Sequence, residues 1–187
     1  MPKGIIPSLV AKLQAKERPV GGLHLAAVSV ILRNPKAPMT LLIRRAERSG
    51  DPWSGQIAFP GGKMQRGDRD AKDTAARETL EEVGIDLQDS AEFLGYAEPV
   101  RTHTGTMDVV PSVFLLRREV QVRPNGEVSS HRWVELERLG APKARSTYSM
   151  ELEGRTVEMP AFAAGDYVIW GLTYRLVSLL LGYSNLL

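Results

Sequence analysis

An α/β (α+β) layered fold is what this sequence predicts. Two observations point there: Val-, Ile- and Leu-rich runs of strand length alternate with helical patterns, and their order does not repeat along the chain. A third is the size and composition. At 187 residues, with 43% hydrophobic and 25% charged residues, the chain suits one globular domain spanning 1–187 that buries a core without staples.

The elements follow in order. Ile6 to Lys16 fits a short amphipathic helix closed off before Pro19. Leu23 to Arg33 reads as a strand buried on both faces. After the turn signal Asn34-Pro35-Lys36-Ala37-Pro38, Met39 to Arg45 reads as its hairpin partner. A loop from Ser49 to Gly55 leads into the short strand Ile57-Ala58-Phe59, which Pro60-Gly61-Gly62 stops.

The next helix takes Asp70 as N-cap, with Asp73 three residues on, and ends at Gly84 as C-cap. Ala76, Leu80 and Val83 fall at i, i+4 and i+7, the spacing of a face that packs on a sheet. Strands are expected at Glu92 to Glu98, Val109 to Arg117 and His131 to Leu136, with a turn at Arg123-Pro124-Asn125-Gly126 between the last two. A final helix is expected from Asp166 as N-cap to about Leu181.

Composition removes several functions. There are no cysteines, so disulfides, thiolate zinc sites and cysteine nucleophiles are excluded, and a reducing, cytoplasmic setting fits. The formal charge of +2 comes from basic residues spread along the chain, which argues against nucleic acid as a partner. The N-terminal stretch lacks the apolar run of a secretory signal. The most apolar segment, Tyr167 to Tyr183, contains Arg175 and two glycines and falls short of a membrane span, so no membrane is expected as a partner.

The helix from Asp70 to Gly84 carries the chemistry. Glu81 and Glu82 lie three and four residues after Glu78, so the three carboxylates share a face, nearly opposite the one marked by Ala76, Leu80 and Val83. Each like-charge pair costs a helix about 0.2–0.5 kcal/mol. The helix dipole adds to the cost, because Gly84 places the carboxylates at its negative end. Carboxylates crowded where they repel call for a cation. Hard cations such as Mg²⁺ or Mn²⁺ prefer such oxygen donors and share their remaining positions with water and phosphate. Glu78, Glu81 and Glu82 are therefore candidate metal ligands, with Glu81 and Glu82 also candidate catalytic groups. Arg77, four residues before Glu81, can brace it.

The stretch 61–85 resembles the Nudix box. Arg77, Glu78, Glu81, Glu82, Gly84 and Ile85 match that pattern position by position. Thr79 stands where an aliphatic residue is usual, and the early acidic position falls on Asp68 if one inserted residue is allowed. The resemblance implies a Nudix-type α/β/α sandwich with a central mixed β-sheet, and Mg²⁺- or Mn²⁺-dependent hydrolysis of a nucleoside diphosphate linked to another moiety. The implied partner is a small-molecule nucleotide. Upstream, Leu41-Leu42-Ile43-Arg44-Arg45 and Gly55 to Gly62 are similar to the extra motif of the coenzyme A pyrophosphatase-like branch, as is the tail Ile169-Trp170-Gly171-Leu172-Thr173. Asp51 stands where that motif has arginine, which leaves ADP-ribose, NADH and nucleoside triphosphates open beside coenzyme A or acyl-coenzyme A. A catalytically silent nucleotide-sensing module is the reading from another class.

Further site candidates are spread along the chain. Glu127, six residues before Trp133, is the candidate general base that the resemblance implies, ahead of Glu98 and Asp108, with an ordinary loop acid as the alternative. Arg44 and Arg45 alternate on a strand, so one faces the cleft and can grip a phosphate, and the motif favours Arg45. Lys63 follows the Gly61-Gly62 turn, where the backbone can approach a ligand closely. His24, His103 and His131 show no ligand spacing. Trp53 either lines a binding pocket or closes a loop over the core. Trp170 and Tyr174 read as core, and the nearly all-apolar last helix is also a candidate homodimer face.

Overall fold

Residues 5–13, 24–51, 53–103, 105–152 and 154–182 are described by a computed structural model. In chain order the elements are α1 (Ile5–Val10), β1 (Leu25–Arg33), β2 (Met39–Arg45), β3 (Ile57–Ala58), β4 (Gly61–Lys63), α2 (Ala71–Val83), α3 (Leu87–Ser90), β5 (Ala91–Tyr96), β6 (Val100–Arg101), β7 (Asp108–Leu116), β8 (Val128–Glu135), α4 (Leu136–Gly140), a 3-10 turn (Pro142–Ala144), β9 (Arg145–Leu152), β10 (Arg155–Ala164), β11 (Tyr167–Trp170) and α5 (Gly171–Leu181).

Strand β1 is the axis of a mixed sheet. It runs parallel to β7 from Leu25↔Asp108 to Leu32↔Leu115, while its other edge is divided. The antiparallel β2 takes Leu32 and Arg33, and the antiparallel β4 takes Ala26 to Val28. Having left β1, β2 pairs with β3 and β8, and β5 and β6 complete the sheet on β7.

Period-two alternation in the two central strands sets the layers. Ala27 and Ile31 of β1, with Leu41 and Ile43 of β2, pack beneath Ala71, Ala75 and Val83 of α2. Val30, Leu32 and Leu42 point to the opposite face. There they meet Leu176, Val177 and Leu180 of α5 together with Phe162, Tyr167 and Ile169 of a second, three-stranded sheet, β11-β10-β9. A strand covered on both faces needs an apolar residue at nearly every position, which is why β1 reads as a continuous run. Among the described residues, no helix is long and apolar enough to cross a membrane.

The structure departs from the sequence expectations in several places. Pro60-Gly61-Gly62 does not end the pairing: Gly61–Lys63 forms β4 against β1, flanked by Ser29 N–H donating to Pro60 O (2.8 Å) and Met64 N–H to Leu25 O (2.9 Å). The last helix starts at Gly171 rather than after Asp166, because Tyr167–Trp170 pairs with β10 as β11 and Asp166 lies in the turn between them. The hairpin β9–β10 had no sequence signal strong enough to place it. The first helix spans only Ile5–Val10, and residues 14–16 of the expected helix, like Leu23 of the expected strand, lie outside the described residues. The apolar character of α5 serves this chain's own core, where Leu176, Val177 and Leu180 are buried.

A further departure concerns α2. Its caps are as expected: Asp70 Oδ1 accepts Asp73 N–H (2.8 Å), and Gly84 adopts φ 67°. Asp73 itself turns to Arg69, so the reciprocal half of a capping box is absent. The buried face is rotated from the expected one. Leu80 is 51% exposed, whereas Glu82 is 4% exposed and lies on the side of Ala71, Ala75 and Thr79. Small residues on that side let the helix approach the sheet. Thr79 Oγ1 donates to Ala75 O or to Ser29 Oγ on β1, both at 2.7 Å, a polar contact that an aliphatic residue could not make.

Gly61 makes the close pairing of β4 on β1 possible. At φ 154°, a Cβ there would lie 2.3 Å from Ala27 O and 2.6 Å from Val28 Cα. Gly61→Ala is expected to lower stability by about 2–3 kcal/mol in urea denaturation, through strain and backbone collision. Leu80→Gln should stay within about 0.5 kcal/mol of the parent, as a solvent-facing change. A large loss on Leu80→Gln would show that the helix packs through the face first expected.

Candidate active site

The site forms where α2 meets β4. Arg77 is its organiser. Its Nε and Nη2 each donate to one oxygen of Asp68 at 3.0 Å, and Nη2 also donates to Lys63 O at 3.2 Å. Its Nη1 reaches Glu78 Oε1 at 2.9 Å and Glu81 at 3.3 Å. The guanidinium holds Asp68 down at a pKa of about 2, with help from Gln65 N–H and Thr74 Oγ. Arg77 is raised in turn, first by its bond to Asp68. Asp68, the one-residue-shifted acidic position of the motif, thus meets Arg77 in space.

The three helix carboxylates have different surroundings. Glu81 is half exposed. Glu78 lies against Gly62, where a Cβ would fall 2.6 Å from its Cδ. Burial raises its pKa, opposed by the bond to Arg77 and reinforced by the charges of Glu81 and Glu127. Glu82 accepts the Gly61 N–H at 2.9 Å. Burial pushes it up to about 7; Gly61 and Arg45 oppose the shift, while Glu78 and Glu127 add to it. The sequence reading placed all three carboxylates outward, and Glu82 corrects it. This carboxylate turns in toward the glycine strand, where the Gly61 N–H offers a donor.

Glu127 arrives from far along the chain. Its loop is tied to the end of α2, where Arg123 N–H donates to Val83 O and Asn125 N–H to Glu82 O, both at 2.8 Å. These bonds satisfy carbonyls that a helix C-terminus leaves open. Ala46 N–H donates to Glu127 O at 2.8 Å and Asn125 Oδ1 accepts the Glu127 N–H at 2.8 Å, so the backbone is clamped from both sides. The half-exposed carboxylate pairs with Arg48 at 3.2 Å, a partner that no motif indicated.

Arg44 and Arg45 divide as strand alternation requires. Arg45 lies on the carboxylate side, close enough to favour the charged form of Glu82, and its Nη2 donates to Asp51 at 2.9 Å. Arg44 goes the other way, and this corrects its candidacy for phosphate. It donates to Asp166 O (2.9 Å) and Oδ2 (3.0 Å) and sits 5.1 Å from the centroid of the Tyr167 ring. Lys63 has an exposed side chain and contributes its carbonyl to Arg77.

The donor set suits a hard cation. Glu78, Glu81 and Glu82 offer oxygen only, and two of them are desolvated carboxylates that bind a proton more tightly than usual. Among the described residues no three Asp, Glu or His side chains are gathered closely enough to enclose an ion.

Comparison with known proteins places this architecture. The NUDIX domain profile matches residues 23–150. A Schizosaccharomyces pombe protein described as uncharacterized is 37% identical over 123 residues, covering 61% of this chain and 37% of that one. A Mus musculus protein named mitochondrial coenzyme A diphosphatase is 29% identical over 180 residues, covering 92% of this chain and 83% of that one. The chain spans 37% and 55% of the lengths of the first two curated relatives it matches. Among solved structures, a MutT/nudix family protein from Enterococcus faecalis shares the fold, with a TM-score of 0.53 at 24% identity over 88% of this chain and 61% of that one.

Burial of Glu82 makes a stability prediction for the metal-free protein. A carboxyl raised from 4.5 to about 7 binds its proton more tightly when folded, so its contribution is best below pH 4.5 and is lost as pH rises toward 7. Glu82→Gln keeps an acceptor for Gly61 N–H without the charge. It should stabilise the protein above pH 7 by up to about 3 kcal/mol, with the gain shrinking toward pH 4.5. Chemical denaturation across that range reads the difference, and a variant no more stable at pH 8 would refute the burial cost.

Proposed function

The chain belongs to the Nudix family, and from that premise we propose that it is a pyrophosphohydrolase that splits the diphosphate of a nucleoside diphosphate linked to another group. The observation that carries this reading is the desolvated pair Glu78 and Glu82 beside the glycine strand. The reading gives Glu78, Glu81 and Glu82 to a divalent cation, Mg²⁺ or Mn²⁺. When bound, such an ion neutralises phosphate charge and lowers the pKa of water for attack on phosphorus.

The chain's own residues divide the remaining work. Arg77 positions Glu78 and Glu81 and keeps their carboxylates from swinging apart. Gly62 leaves room for the Glu78 carboxylate, and the two glycines let a phosphate come near the backbone. Arg45 supplies the cation for one phosphate, and Lys63 is exposed next to the glycines. Glu127 is the proposed base, accepting the proton of the attacking water. Its clamped backbone and its electrostatic influence on both Glu78 and Glu82 support that role.

Coenzyme A or its acyl derivatives are the first proposed substrates, supported by the upstream motif and the mouse relative's name. Asp51 keeps ADP-ribose, NADH and nucleoside triphosphates as alternatives, since it sets an acid beside Arg45. Action in a reducing compartment such as the cytoplasm is also proposed, on the absence of cysteine.

A panel of these substrates with Mg²⁺ or Mn²⁺, resolved by product chromatography, tests the reading. Glu82→Gln and Glu78→Gln are expected to lower kcat by about 10²-fold or more, the scale of losing one electrostatic stabiliser in a water-poor site. Retention of turnover within a few-fold by Glu82→Gln would remove that residue from the metal set. Tight nucleotide binding without turnover on the whole panel would identify a sensor instead.

A further inference from the structure

Three arginines in this protein grip a carboxylate in the same way, while others, such as Arg44 and Arg48, meet theirs through Nη2 alone. Arg69, Arg77 and Arg101 each direct the side-on fork, Nε with Nη2, at both oxygens of a single carboxylate, on Asp73, Asp68 and Asp108 respectively. Such bidentate pairing is the strongest geometry a guanidinium offers to carboxylate or phosphate.

Arg45 makes no such fork, and its Nε is enclosed. Its Nη2 donates to Asp51 Oδ2 at 2.9 Å, but Asp51 Oδ1 is drawn away to accept the Trp53 N–H at 2.9 Å. The Nε of Arg45 is buried and has no acceptor among the described residues. The fork is therefore divided, one prong clasped and the other enclosed. A ligand phosphate meeting Arg45 finds a cation already half neutralised, with no side-on fork open to it.

The charge of phosphate makes this selective. An internal phosphate of a diphosphate diester carries a single negative charge, whereas a terminal phosphomonoester carries about −1.5 to −2 at neutral pH. We propose, building on the functional reading above, that Asp51 sets the charge class of the substrate. By occupying Nη2 and offsetting the charge of Arg45, it suits that arginine to one oxygen of a singly ionised internal phosphate and disfavours the doubly ionised terminal phosphate of a nucleoside triphosphate. Asp51 acts through Arg45 and is a specificity-determining residue rather than a catalytic one. Trp53 contributes through its backbone, by holding the second carboxylate oxygen away from the fork.

The test compares ADP-ribose and ATP, which share a nucleoside and differ in whether the phosphate chain ends in a monoester. Asp51→Asn keeps an acceptor for Trp53 N–H but removes the charge facing Arg45. The ratio of kcat/KM for ATP over ADP-ribose, measured with Mg²⁺ on the full chain, is expected to rise about fivefold or more, carried by a lower KM for ATP. A ratio unchanged within about twofold, or one that moves away from ATP, would overturn the proposal. Asp51→Ser serves if the Asn variant fails to fold. If neither nucleotide is turned over, the same ratio is read from calorimetric Kd values under the same criteria. Absence of binding by both nucleotides to parent and variant alike overturns the proposal too. The hydrolase reading is decided separately, by the substrate panel and the Glu78 and Glu82 variants.

Discussion

How closely strand β4 lies to strand β1 and to helix α2 is limited by what stands at Gly61 and Gly62, and the site depends on those limits. A side chain at Gly61 would strike the backbone of β1, and one at Gly62 would occupy the space of the Glu78 carboxylate. Without them, the Gly61 N–H comes within 2.9 Å of Glu82, and the Glu78 carboxylate settles against the strand. The same approach requires small residues on the helix. Ala71, Ala75 and Thr79 supply them, and Thr79 repays its burial by hydrogen bonding to Ser29 or to the Ala75 carbonyl. Helix, strand and carboxylates are thus one packing arrangement.

That arrangement concentrates negative charge where water is scarce. Arg77 offsets part of it, bound to Asp68 on one side and to Glu78 and Glu81 on the other. Glu82 lacks such a partner. Its main compensation is one backbone N–H, and its proton affinity rises accordingly. A carboxylate desolvated without a paired cation is a cost to folding, and such costs concentrate at functional sites. The two arginines that approach from β2 and its following loop arrive already matched to acids, Arg45 to Asp51 and Arg48 to Glu127. Positive charge near the site is rationed by its own neighbours.

Much of the fold was legible as local pattern. Strands β1 and β2 are continuous apolar runs because both of their faces are covered, and the caps of α2 follow from Asp70 and Gly84. Local pattern failed where a tertiary partner changed the meaning of a residue. Leu80 marks an apolar face by spacing, yet it faces solvent because Thr79 and Glu82 find partners on β1 and β4. Asp166 reads as a helix cap, yet it sits in a hairpin turn, paired with Arg44 and Arg132. Strands β9 and β10 escaped notice because their faces are only partly covered, which leaves the alternation of side chains weak.

By itself the sequence determined the chemistry on offer: three carboxylates at helical spacing, an arginine to brace them, glycines beside them and no cysteine anywhere. Those features are local, set by residue type and by the 3.6-residue turn. Only the tertiary structure decided which carboxylate is buried, which of Arg44 and Arg45 faces the site, and that Glu127 and Asp51 stand beside it. Burial and charge pairing depend on groups brought together from distant parts of the chain. Gly61, Arg45 and Glu127 become neighbours of one helix only when the strands pair.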